Sequence, residues 1–369
     1  MENLLEYQIC KNCVLDTTDK DIVFDAEGVC NYCREVSNNI DKFIFSPEQE
    51  KENLTNLVAK IKQEQKGEYD SILGVSGGVD SSYLMHLAHS LGLNPLIVHF
   101  DNGWNSELAV SNIKKIIEKC GFHLETYVID WPEFKDLQRS FFKAGVLDIE
   151  LLTDQAIVAT MFKIRRQHKI KYVLSGTNYR TEYGMPPSWA WRKFDYQNIK
   201  DIQSKFGTRK IKSFPIIRSW QFQLIKMFGL GGEFVEPLNM INYRKLEIMK
   251  FLQQEYGWEY YGGKHYESVF TKFYQAYVLP VKFKIDKRRP HLSSLIRNNE
   301  ITREDAIREL NEPIYKPEVL RSEKEYVLKK LDFSEAEFDA MMAAPPKSHL
   351  DYKSDDWMFK IWGRFRRNK

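Results

Sequence analysis

The segment with the clearest chemical potential is rich in glycine and serine and reads SGGVDSS over residues 76–82. An apolar run precedes it and a helical pattern follows it, so the segment joins a strand to a helix. Glycines at such a turn let backbone N–H groups approach an anion, and the amino terminus of the next helix adds a partial positive charge. The pattern therefore predicts a phosphate-binding loop. Its expected ligand-binding residues are Ser76, Gly77, Gly78, Val79, Asp80, Ser81 and Ser82.

The same loop is compatible with a second chemistry. Residues 74–78 read GVSGG and fit the G-x-S-x-G pattern of a nucleophile elbow. In that interpretation Ser76 attacks a carbonyl group, and a later aspartate and histidine complete the triad of a serine hydrolase. This alternative explains neither Asp80 nor the cysteines described next. The loop also lacks the Gly-Lys-Ser/Thr ending of a Walker A motif, which favours a different cleavage of ATP.

Four of the five cysteines form two closely spaced pairs near the amino terminus. Cys10-x2-Cys13 and Cys30-x2-Cys33 have the spacing of a two-knuckle zinc site. Four thiolates provide a closed tetrahedral set, which is typical of structural rather than catalytic Zn²⁺. We expect zinc to stabilise this module, because so short a segment buries little core. The alternatives are unligated thiols or two vicinal disulfides, and Cys120 is expected to be an ordinary core cysteine.

Alternating strand and helix patterns follow the cysteine module. Strands are predicted over 69–75, 95–100, 124–129 and 171–174, with helices over 46–65, 81–91, 109–120 and 153–167. Helices of this length between strands predict parallel pairing with right-handed crossovers. The fold class is therefore α/β, a doubly wound parallel sheet with an amino-terminal zinc-knuckle module and a mostly helical carboxyl-terminal region. We place the three domains at 1–45, 46–240 and 241–369, with carboxyl-terminal helices over 244–254, 302–311 and 334–342.

Polar residues also follow other predicted strands, and open α/β sheets bind ligands outside the carboxyl ends of their strands. Asp101 follows the second strand and is expected to contact ribose or Mg²⁺, although an ordinary turn would also explain it. Gly176 and Thr177 follow the fourth strand and are expected to lie beside ATP. Asp154 opens a predicted helix, where helix capping alone would account for it. These residues extend the predicted site along one edge of the sheet.

Composition limits the classes of function. Lysine and arginine number 54 against 51 acidic residues, which gives a formal net charge of +3. So small a net charge argues against sequence-independent binding to nucleic acid. No run approaches the roughly 18 apolar residues of a membrane span and no signal peptide is evident, so we expect a cytoplasmic location. The basic, aromatic tail over 357–369 is expected to pack as a terminal helix, with contact to a membrane or an acidic partner as the alternative.

The loop resembles that of a known superfamily. SGGVDS at residues 76–81 matches the SGGxDS signature of the PP-loop ATP pyrophosphatases, in the expected strand–loop–helix context. This superfamily includes GMP synthetase, asparagine synthetase and the tRNA thiolation enzymes. The resemblance implies a PP-loop/HUP-like domain that uses ATP and Mg²⁺, gives Asp80 a catalytic role, and releases AMP and pyrophosphate. A tRNA thiolation enzyme is an alternative, although such enzymes need more cysteines than Cys120 alone.

Further motifs resemble one branch, the N-acetyl sugar amidotransferases of the WbpG/PseA type in lipopolysaccharide and flagellar sugar biosynthesis. They are the cysteine module, HFDNGWNS at 99–106, SGTN at 175–178, EYGM at 182–185, GKHYES at 263–268 and IDKRRPHLSS at 285–294. Pro290 departs from the alanine expected after the paired arginines. The resemblance covers nearly the whole chain and implies that ATP adenylates the acetamido oxygen of a free or nucleotide-linked acidic sugar. Ammonia then displaces AMP and leaves an acetamidino group.

This resemblance also suggests residues at the substrate end of the site. Cations are expected to hold a carboxylate or diphosphate and tryptophans to stack on a sugar, although solvated surface cations and core tryptophans are common. The expected substrate-binding residues are Asp154, Arg180, Glu182, Trp189, Trp191, Arg192, Lys264, Lys272, Arg288 and Arg289. His265 and Glu267 are expected to be catalytic, orienting ammonia or accepting its proton.

We expect a separate subunit to supply the nitrogen. The catalytic cysteine that begins asparagine-type synthetases is missing, because Glu2 follows Met1. Cys120 has no adjacent histidine, asparagine or aspartate to activate it, apart from the weakly placed His123. The resemblance implies a HisH-like glutaminase and a HisF-like ammonia-delivering partner. We therefore expect activity with free ammonium and none with glutamine alone.

Overall fold

A computed structural model describes residues 6–263 and 266–360 of the chain. Its centre is a five-stranded sheet with the order β3-β2-β1-β4-β5, in which every neighbouring pair is parallel. The strands are β1 Ser71–Val75, β2 Pro95–Asp101, β3 Leu124–Val128, β4 Tyr172–Leu174 and β5 Glu233–Val235. This topology confirms the predicted α/β fold with a doubly wound parallel sheet. The order reverses between β1 and β4, which creates a topological switch point.

Helices surround the sheet and form most of the carboxyl-terminal region. Before and around the sheet they are α1 Asn31–Asn39, α2 Pro47–Gln63, α3 Val79–Ser90, α4 Glu107–Cys120, α5 Trp131–Ala144, α6 Leu151–Gln167, α7 Tyr179–Glu182, α8 Tyr196–Phe206 and α9 Ser219–Met227. After the sheet they are α10 Lys245–Tyr256, α11 Val269–Phe273, α12 Arg288–Arg297, α13 Arg303–Asn311, α14 Pro317–Lys330 and α15 Glu335–Ala343. A π-helix over Tyr274–Phe283 continues directly from α11.

Local sequence signals fix the helix ends that orient the loops. Ser46 caps α2 in a capping box with Gln49, in agreement with the predicted start of this helix. Ser106 caps α4 by accepting from the Ala109 N–H, and α4 ends at Gly121, whose φ of 70° suits glycine. These caps determine where the chain leaves each helix and re-enters the sheet.

Helix α5 and strand β5 are among the elements of the structure that the sequence patterns do not predict. α5 buries carboxylates that a surface helix would expose to solvent. Glu133 accepts from the Ser213 N–H at 2.9 Å, and Asp136 accepts from the N–H groups of Thr208 and Arg209 at 2.9 and 2.8 Å. Backbone N–H groups that are distant in sequence thus satisfy these two carboxylates. No local sequence pattern reveals such contacts. β5 has only three residues, too few for a periodicity.

The sheet is covered on both faces. Leu73 and Val75 of β1 pack in one cluster with residues of α3 and α10, whereas Ile72 packs with Val98 and residues of α6 in another. A larger aromatic core lies between α5, α6, α8, α11, the π-helix and α14. Across residues 6–263 and 266–360, no helix combines the length and apolar character that crossing a bilayer would need.

Candidate functional site

The glycine–serine loop leaves β1 and enters α3 in a conformation that requires glycine. Gly77 has a φ of 83°, and a Cβ atom there would lie 2.6 Å from the carbonyl oxygen of Ala109. The indole Nε1–H of Trp258 donates to the Gly77 carbonyl over 3.1 Å. A Cβ atom on Gly78 would lie only 3.1 Å from Ser76 Oγ. A larger residue at either glycine would therefore displace the loop.

The hydroxyl groups of the loop differ in how far the protein satisfies them. The Gly78 N–H donates to Ser76 Oγ over 3.2 Å, and Ser81 Oγ donates to the Gly78 carbonyl over 3.2 Å. Ser82 is fully buried, yet its hydroxyl has no hydrogen-bond partner among the described residues. Buried hydroxyls without a partner are uncommon, and this one lies just inside the loop, at the start of α3.

Buried neighbours hold the carboxylate of Asp80 at the start of α3. Its Oδ1 accepts from the hydroxyl of Tyr243 and, over 3.4 Å, from Nδ2 of Asn178. Burial and the adjacent Asp80 carboxylate raise the pKa of Tyr243 well above its usual value, so Tyr243 remains a neutral donor. The loop after β4 also approaches closely, because a Cβ atom on Gly176 would lie 3.4 Å from the backbone of Asp80. The ends of β1 and β4 thus meet at Asp80.

A cavity of about 250 Å³ opens at the carboxyl ends of β1 and β2. Ser76, His99, Thr153 and Thr160 are among its lining residues, which come from the loop, β2 and α6. Thr160 is buried, and its hydroxyl has no hydrogen-bond partner in the part of the chain that the structure describes. Mainly apolar walls with a few unsatisfied polar groups are typical of a ligand pocket.

Asp101, the predicted ribose or Mg²⁺ contact, stabilises the turn at the end of β2. Its Oδ1 accepts from the Gly103 N–H at 2.8 Å and from Asn105 Nδ2 at 3.3 Å. The same amide nitrogen of Asn105 lies 3.1 Å from Nε2 of His99, whose Nδ1 lies 3.1 Å from the Val75 carbonyl oxygen. This network connects the ends of β1 and β2. It also fixes the side chains of His99 and Asn105, which line the cavity.

A segment of the carboxyl-terminal region forms one wall of this cavity. Asn105 and Ser268 form an isolated antiparallel bridge. Beside it, the Ser106 N–H donates to the Glu267 carbonyl over 2.8 Å. Glu267, a predicted catalytic residue, therefore lines the same cavity as Ser76. The structure brings together the loop and the carboxyl-terminal region, which are distant in sequence.

Several residues of the site are not among those that the sequence singles out. Tyr243 reaches Asp80 across 163 positions of the chain, and Trp258 reaches Gly77 across 181 positions. Contacts of this range leave no mark in local spacing. Asn105 is an exception, because it lies in the HFDNGWNS sequence whose resemblance to the amidotransferases could have drawn attention to it.

The predicted substrate cations that the structure describes all have partners within the protein. The partners are Asn242 and Asn298 for Arg180, Asp356 for Arg192, Glu323 for Lys272, Asp286 for Arg288 and Asp16 for Arg289. Arg288 also donates to the carbonyl groups of Glu309 and Glu312 at 2.8 and 3.0 Å. These side chains contribute to tertiary structure whatever else they bind.

The other predicted substrate residues are spread over the fold. Trp189 is 3% exposed and belongs to the aromatic core. Trp191 stacks on His349 with ring centroids 4.9 Å apart. Asp154 forms an ion pair with Lys193 at 2.7 Å, one position from the cavity-lining Thr153. The Trp191 N–H also donates to the buried Asp148 over 2.8 Å.

The remaining predicted site residues have different positions. Thr177 accepts a 3.0 Å hydrogen bond from the Ser175 hydroxyl in the exposed loop after β4. Glu182 is the last residue of α7. Lys264 and His265, predicted to bind substrate and to catalyse, lie outside the described residues.

A second cavity, of about 390 Å³, lies beside the segment 258–263 that contacts the loop. Tyr260 lines this cavity together with Lys287 and Arg288. The next residue, Tyr261, points the other way, with its hydroxyl 3.3 Å from the position of a Cβ atom on Gly78. One short segment thus connects the second cavity with the loop.

The four predicted metal-binding cysteines form a single buried cluster. Their Sγ atoms all lie within 4.8 Å of one another, with 3.9 Å between Cys10 and Cys33 and 3.8 Å between Cys13 and Cys30. Tetrahedral Zn–S bonds of about 2.3 Å place sulfur atoms about 3.8 Å apart, so this set fits Zn²⁺.

The cysteine module docks on the carboxyl-terminal helices α12 and α13. Arg303 Nε donates to the carbonyl groups of Cys10 and Cys13, each over 3.1 Å. Arg289 forms a 3.1 Å ion pair with Asp16, whose side chain is fully buried. Arg289 belongs to the IDKRRPHLSS sequence, so part of that motif secures the cysteine module.

The sheet order, the loop at the switch point and the adjoining cavity define an α/β protein with a candidate ligand site of the open-sheet type. Residues 267–367 match the family model described as the C-terminal domain of WbpG-like LPS biosynthesis proteins. This match confirms the predicted resemblance to WbpG-type proteins for the carboxyl-terminal region. It begins at Glu267, where the chain joins the wall of the cavity.

Other similarities are partial or distant. The chain is 37% identical over 76 residues to the glutamine-hydrolyzing GMP synthase of Baumannia cicadellinicola subsp. Homalodisca coagulata, a match that covers 20% of this chain and only 14% of that protein. NMN synthetase from Francisella tularensis has a TM-score of 0.31 and 18% identity over 57% of this chain and 87% of its own. The NH3-dependent NAD synthetase from Campylobacter jejuni subsp. jejuni NCTC 11168 has a TM-score of 0.32 and 12% identity over 82% of this chain and 99% of its own.

Proposed function

We propose that this protein is an ATP-dependent amidotransferase that converts an acetamido group of a sugar, free or nucleotide-linked, into an acetamidino group. One observation carries the proposal. Glu267 and Ser268, the first residues of the segment that matches the WbpG-like C-terminal domain, line the same cavity as the glycine–serine loop. A nucleotide bound by the loop therefore lies next to the region that resembles sugar-modifying proteins.

The reaction follows from the chemistry of the amide. An amide carbon resists ammonia, because its oxygen is a poor leaving group. Transfer of AMP from ATP to that oxygen releases pyrophosphate and gives an imidate with a phosphate leaving group. Ammonia then adds to the carbon, AMP departs with the original oxygen, and a C=N bond remains. The protein supplies positioning and charge neutralisation rather than a covalent nucleophile.

The loop residues have separate roles in this proposal. The Gly77 N–H and the hydroxyl of Ser76, which lines the cavity, contact the β- and γ-phosphates, supported by the amino terminus of α3. Asp80 binds Mg²⁺, which neutralises phosphate charge when present. The rigid donor Tyr243 keeps the Asp80 carboxylate in one orientation, since the two share a hydrogen bond. The 250 Å³ cavity beside the loop takes the nucleoside, with Thr160 as a polar contact.

The sugar occupies the second cavity in this proposal. Tyrosine rings at Tyr260 and Tyr266 offer surfaces for a pyranose. Lys287, which pairs with Glu150 over 3.3 Å, would share its charge with an acidic group of the sugar. Acidic and basic side chains both line this cavity, which suits a hydroxyl-rich ligand better than a polyphosphate. The predicted contact Arg288 is also there, whereas Arg289 faces the cysteine module.

The nitrogen arrives as ammonia from a separate glutaminase in this proposal, with HisH-like and HisF-like subunits as the expected pair. Cys120 supports this division of labour. It is buried beside Tyr256, with its Sγ 3.8 Å from the tyrosine hydroxyl. Burial raises the pKa of the Cys120 thiol, so the thiolate that glutamine hydrolysis needs is disfavoured.

The decisive experiment incubates the protein with ATP, Mg²⁺, ammonium and a panel of nucleotide-linked diacetamido sugars. We expect AMP and pyrophosphate, together with a product about 1 Da lighter than the acceptor, since NH replaces O. ADP formation would contradict adenylation. A product that gains sulfur from an added sulfur donor would favour tRNA-type thiolation, and ester hydrolysis without ATP would favour the serine hydrolase.

The variant Asp80→Asn tests the role of the loop. It keeps the size of the side chain and an acceptor oxygen for Tyr243, but removes the charge that binds Mg²⁺. We expect AMP formation to fall about 100-fold or more, which corresponds to roughly 2.7 kcal/mol in the barrier. Asp101→Asn is the comparison, because its carboxylate already accepts two hydrogen bonds in its own turn. Equal losses in both variants would assign Mg²⁺ to Asp101 as well.

A further inference from the structure

An exposed apolar surface lies on and after α9. It consists of Trp220, Met227, Phe228, Leu230 and Phe234, whose side chains are 47–65% exposed. We call these residues the α9 face. Single exposed apolar side chains are common, but five from one helix, the turn after it and an edge strand form a patch that requires an explanation.

The protein holds the α9 face in place. Ser219 at the start of α9 donates to the Phe194 carbonyl over 2.6 Å, and Phe222 stacks on Phe194 with centroids 3.9 Å apart. At the other end, Arg165 Nη2 donates to the Leu230 carbonyl over 2.5 Å. Phe234 packs against Phe162 of α6 at 6.0 Å. The exposure is therefore a property of a fixed surface.

A group of cations borders the α9 face. An open cavity of about 560 Å³ is lined by Lys66, Arg166 and Lys169 together with Gly229 of the turn after α9. These three side chains and Lys226 on α9 are exposed and form no ion pair with any residue that the structure describes. We call the four the basic rim. Two of the acidic groups nearby are already engaged, because Glu64 and Glu233 both pair with Lys171, whereas the exposed Glu68 lies two positions from Lys66.

The basic rim and the later part of the α9 face, from Met227 onward, lie near the amino-terminal ends of the strands. Trp220, at the start of α9, lies nearer the carboxyl ends, where Gln155 of α6 donates to the Ile217 carbonyl over 2.7 Å. Lys66 precedes β1, Lys169 precedes β4, and the turn after α9 leads into β5. The candidate site is at the other end of the strands, beyond the carboxyl ends of β1 and β2. A large ligand on the α9 face would therefore leave the candidate site open.

We propose that the α9 face and the basic rim bind the surface of an anionic lipid bilayer. Trp, Phe, Leu and Met side chains insert at the boundary between headgroups and acyl chains, and adjacent lysines and arginines attract anionic headgroups. A second copy of this chain fits less well. A two-fold interface would place the four cations of each copy around one patch, where the Glu68 carboxylates are too few to neutralise them. This proposal does not depend on the reaction proposed above.

The test is co-sedimentation of the full chain with vesicles. One set contains phosphatidylglycerol and phosphatidylethanolamine, and the other contains only phosphatidylcholine. We expect binding to the anionic set at about 0.1 M salt and little binding to the neutral set. Raising the salt to about 1 M should weaken the binding, since the Debye length falls from about 10 Å to about 3 Å.

Two double variants separate the contributions. Phe228→Ser/Leu230→Ser removes apolar side chains that contact little, and Arg166→Glu/Lys169→Glu reverses the charge of the rim. Each should lower the bound fraction at a given lipid concentration by about tenfold or more while leaving the thermal midpoint unchanged. The matched controls are Val128→Ser, an exposed valine on β3 at the far edge of the sheet, and Lys114→Glu/Lys316→Glu, which changes the net charge equally.

Three outcomes would overturn the proposal. The first is no binding to anionic vesicles, and the second is binding that the controls reduce as much as the test variants. The third is a concentration-dependent dimer in analytical ultracentrifugation that Phe228→Ser/Leu230→Ser abolishes, without vesicle binding by the wild type. That result would assign the α9 face to a second copy of the chain.

Discussion

The cysteine cluster and the glycine–serine loop are both short local motifs, but the protein completes them to different degrees. The four sulfur atoms of the cluster lie within 4.8 Å of one another and are enclosed. At the loop and its cavity, by contrast, Ser82 and Thr160 keep buried hydroxyls that no described residue satisfies. The first arrangement fits a small ion, whereas the second has room for a much larger molecule. Substitutions in the two regions should therefore separate stability from binding.

The largest expected effect comes from the cluster. Cys10→Ser should release the metal and unfold the module, because structural zinc in small modules contributes on the order of 10 kcal/mol. Zinc content and thermal unfolding measure the result. Cys120→Ser is the control, since this buried cysteine lies outside the cluster, and it should cost about 1 kcal/mol. Full zinc content and normal stability in Cys10→Ser would contradict a closed four-thiolate set.

The next effect tests how the module is held. Arg289→Met keeps the bulk of the side chain but leaves the buried Asp16 carboxylate without its cation, which should cost about 3 kcal/mol in unfolding free energy. Arg308→Met removes an exposed pair with Asp305 and should cost less than about 0.5 kcal/mol. Denaturant titration distinguishes the two. Normal stability of Arg289→Met together with a raised KM for the acceptor sugar would favour the role in substrate binding that the sequence predicts.

At the loop, the expected effect is on binding. Gly77→Ala places a methyl group against the Ala109 carbonyl and strains a positive φ, so nucleotide affinity should fall about 100-fold, or roughly 2.7 kcal/mol. Gly121→Ala is the matched control, because Gly121 has a φ of 70° but no atom within 4 Å of its Cβ position. It should cost about 1 kcal/mol of stability and leave affinity unchanged. Similar nucleotide affinities in isothermal titration would mean that the loop does not contact the ligand.

The smallest expected effect is at Thr160, and it distinguishes most directly between a hydroxyl that supports the fold and one that binds a ligand. Thr160→Val is nearly isosteric and removes a buried hydroxyl that has no hydrogen-bond partner among the described residues. Stability should stay the same or rise slightly, because that hydroxyl currently pays a desolvation cost. Nucleotide affinity should fall about 3- to 10-fold, as for the loss of one hydrogen bond of about 1 kcal/mol. A clear loss of stability would mean that the hydroxyl has a partner in the folded protein and is not reserved for a ligand.

Much of this architecture is readable from the sequence, because short-range signals specify it. The strands β1 to β4 and the helices α3, α4 and α6 follow from apolar runs, caps and glycine stops. The charged residues behave differently. From the sequence alone, Arg180 and Arg289 resemble ligand-binding cations. In the fold, Arg180 donates a hydrogen bond to Asn242, and Arg289 forms an ion pair with Asp16. A local pattern records the type of a side chain and its spacing, whereas its partner depends on packing between distant segments.

The same reasoning explains the parts of the site that the sequence does not reveal. The residues of the loop are contiguous in the sequence, so the SGGVDSS pattern alone identifies them. Tyr243, Trp258 and Thr160 come from other helices and loops, and their relevance appears only when the sheet brings them together. Glu267 is predicted from a family resemblance rather than from spacing. The bridge between Asn105 and Ser268 is the physical reason for its position in the cavity wall.

That bridge has a consequence for how the protein is made. A ribosome releases Asn105 well before Ser268, and amino-terminal domains generally fold first during synthesis. A nascent chain can therefore build β1, β2 and the loop while one side of the pocket is still missing. The pocket closes only after the carboxyl-terminal region has emerged and paired with Asn105. Incomplete chains, whether stalled or truncated, would carry the glycine–serine loop without the segment that encloses its cavity.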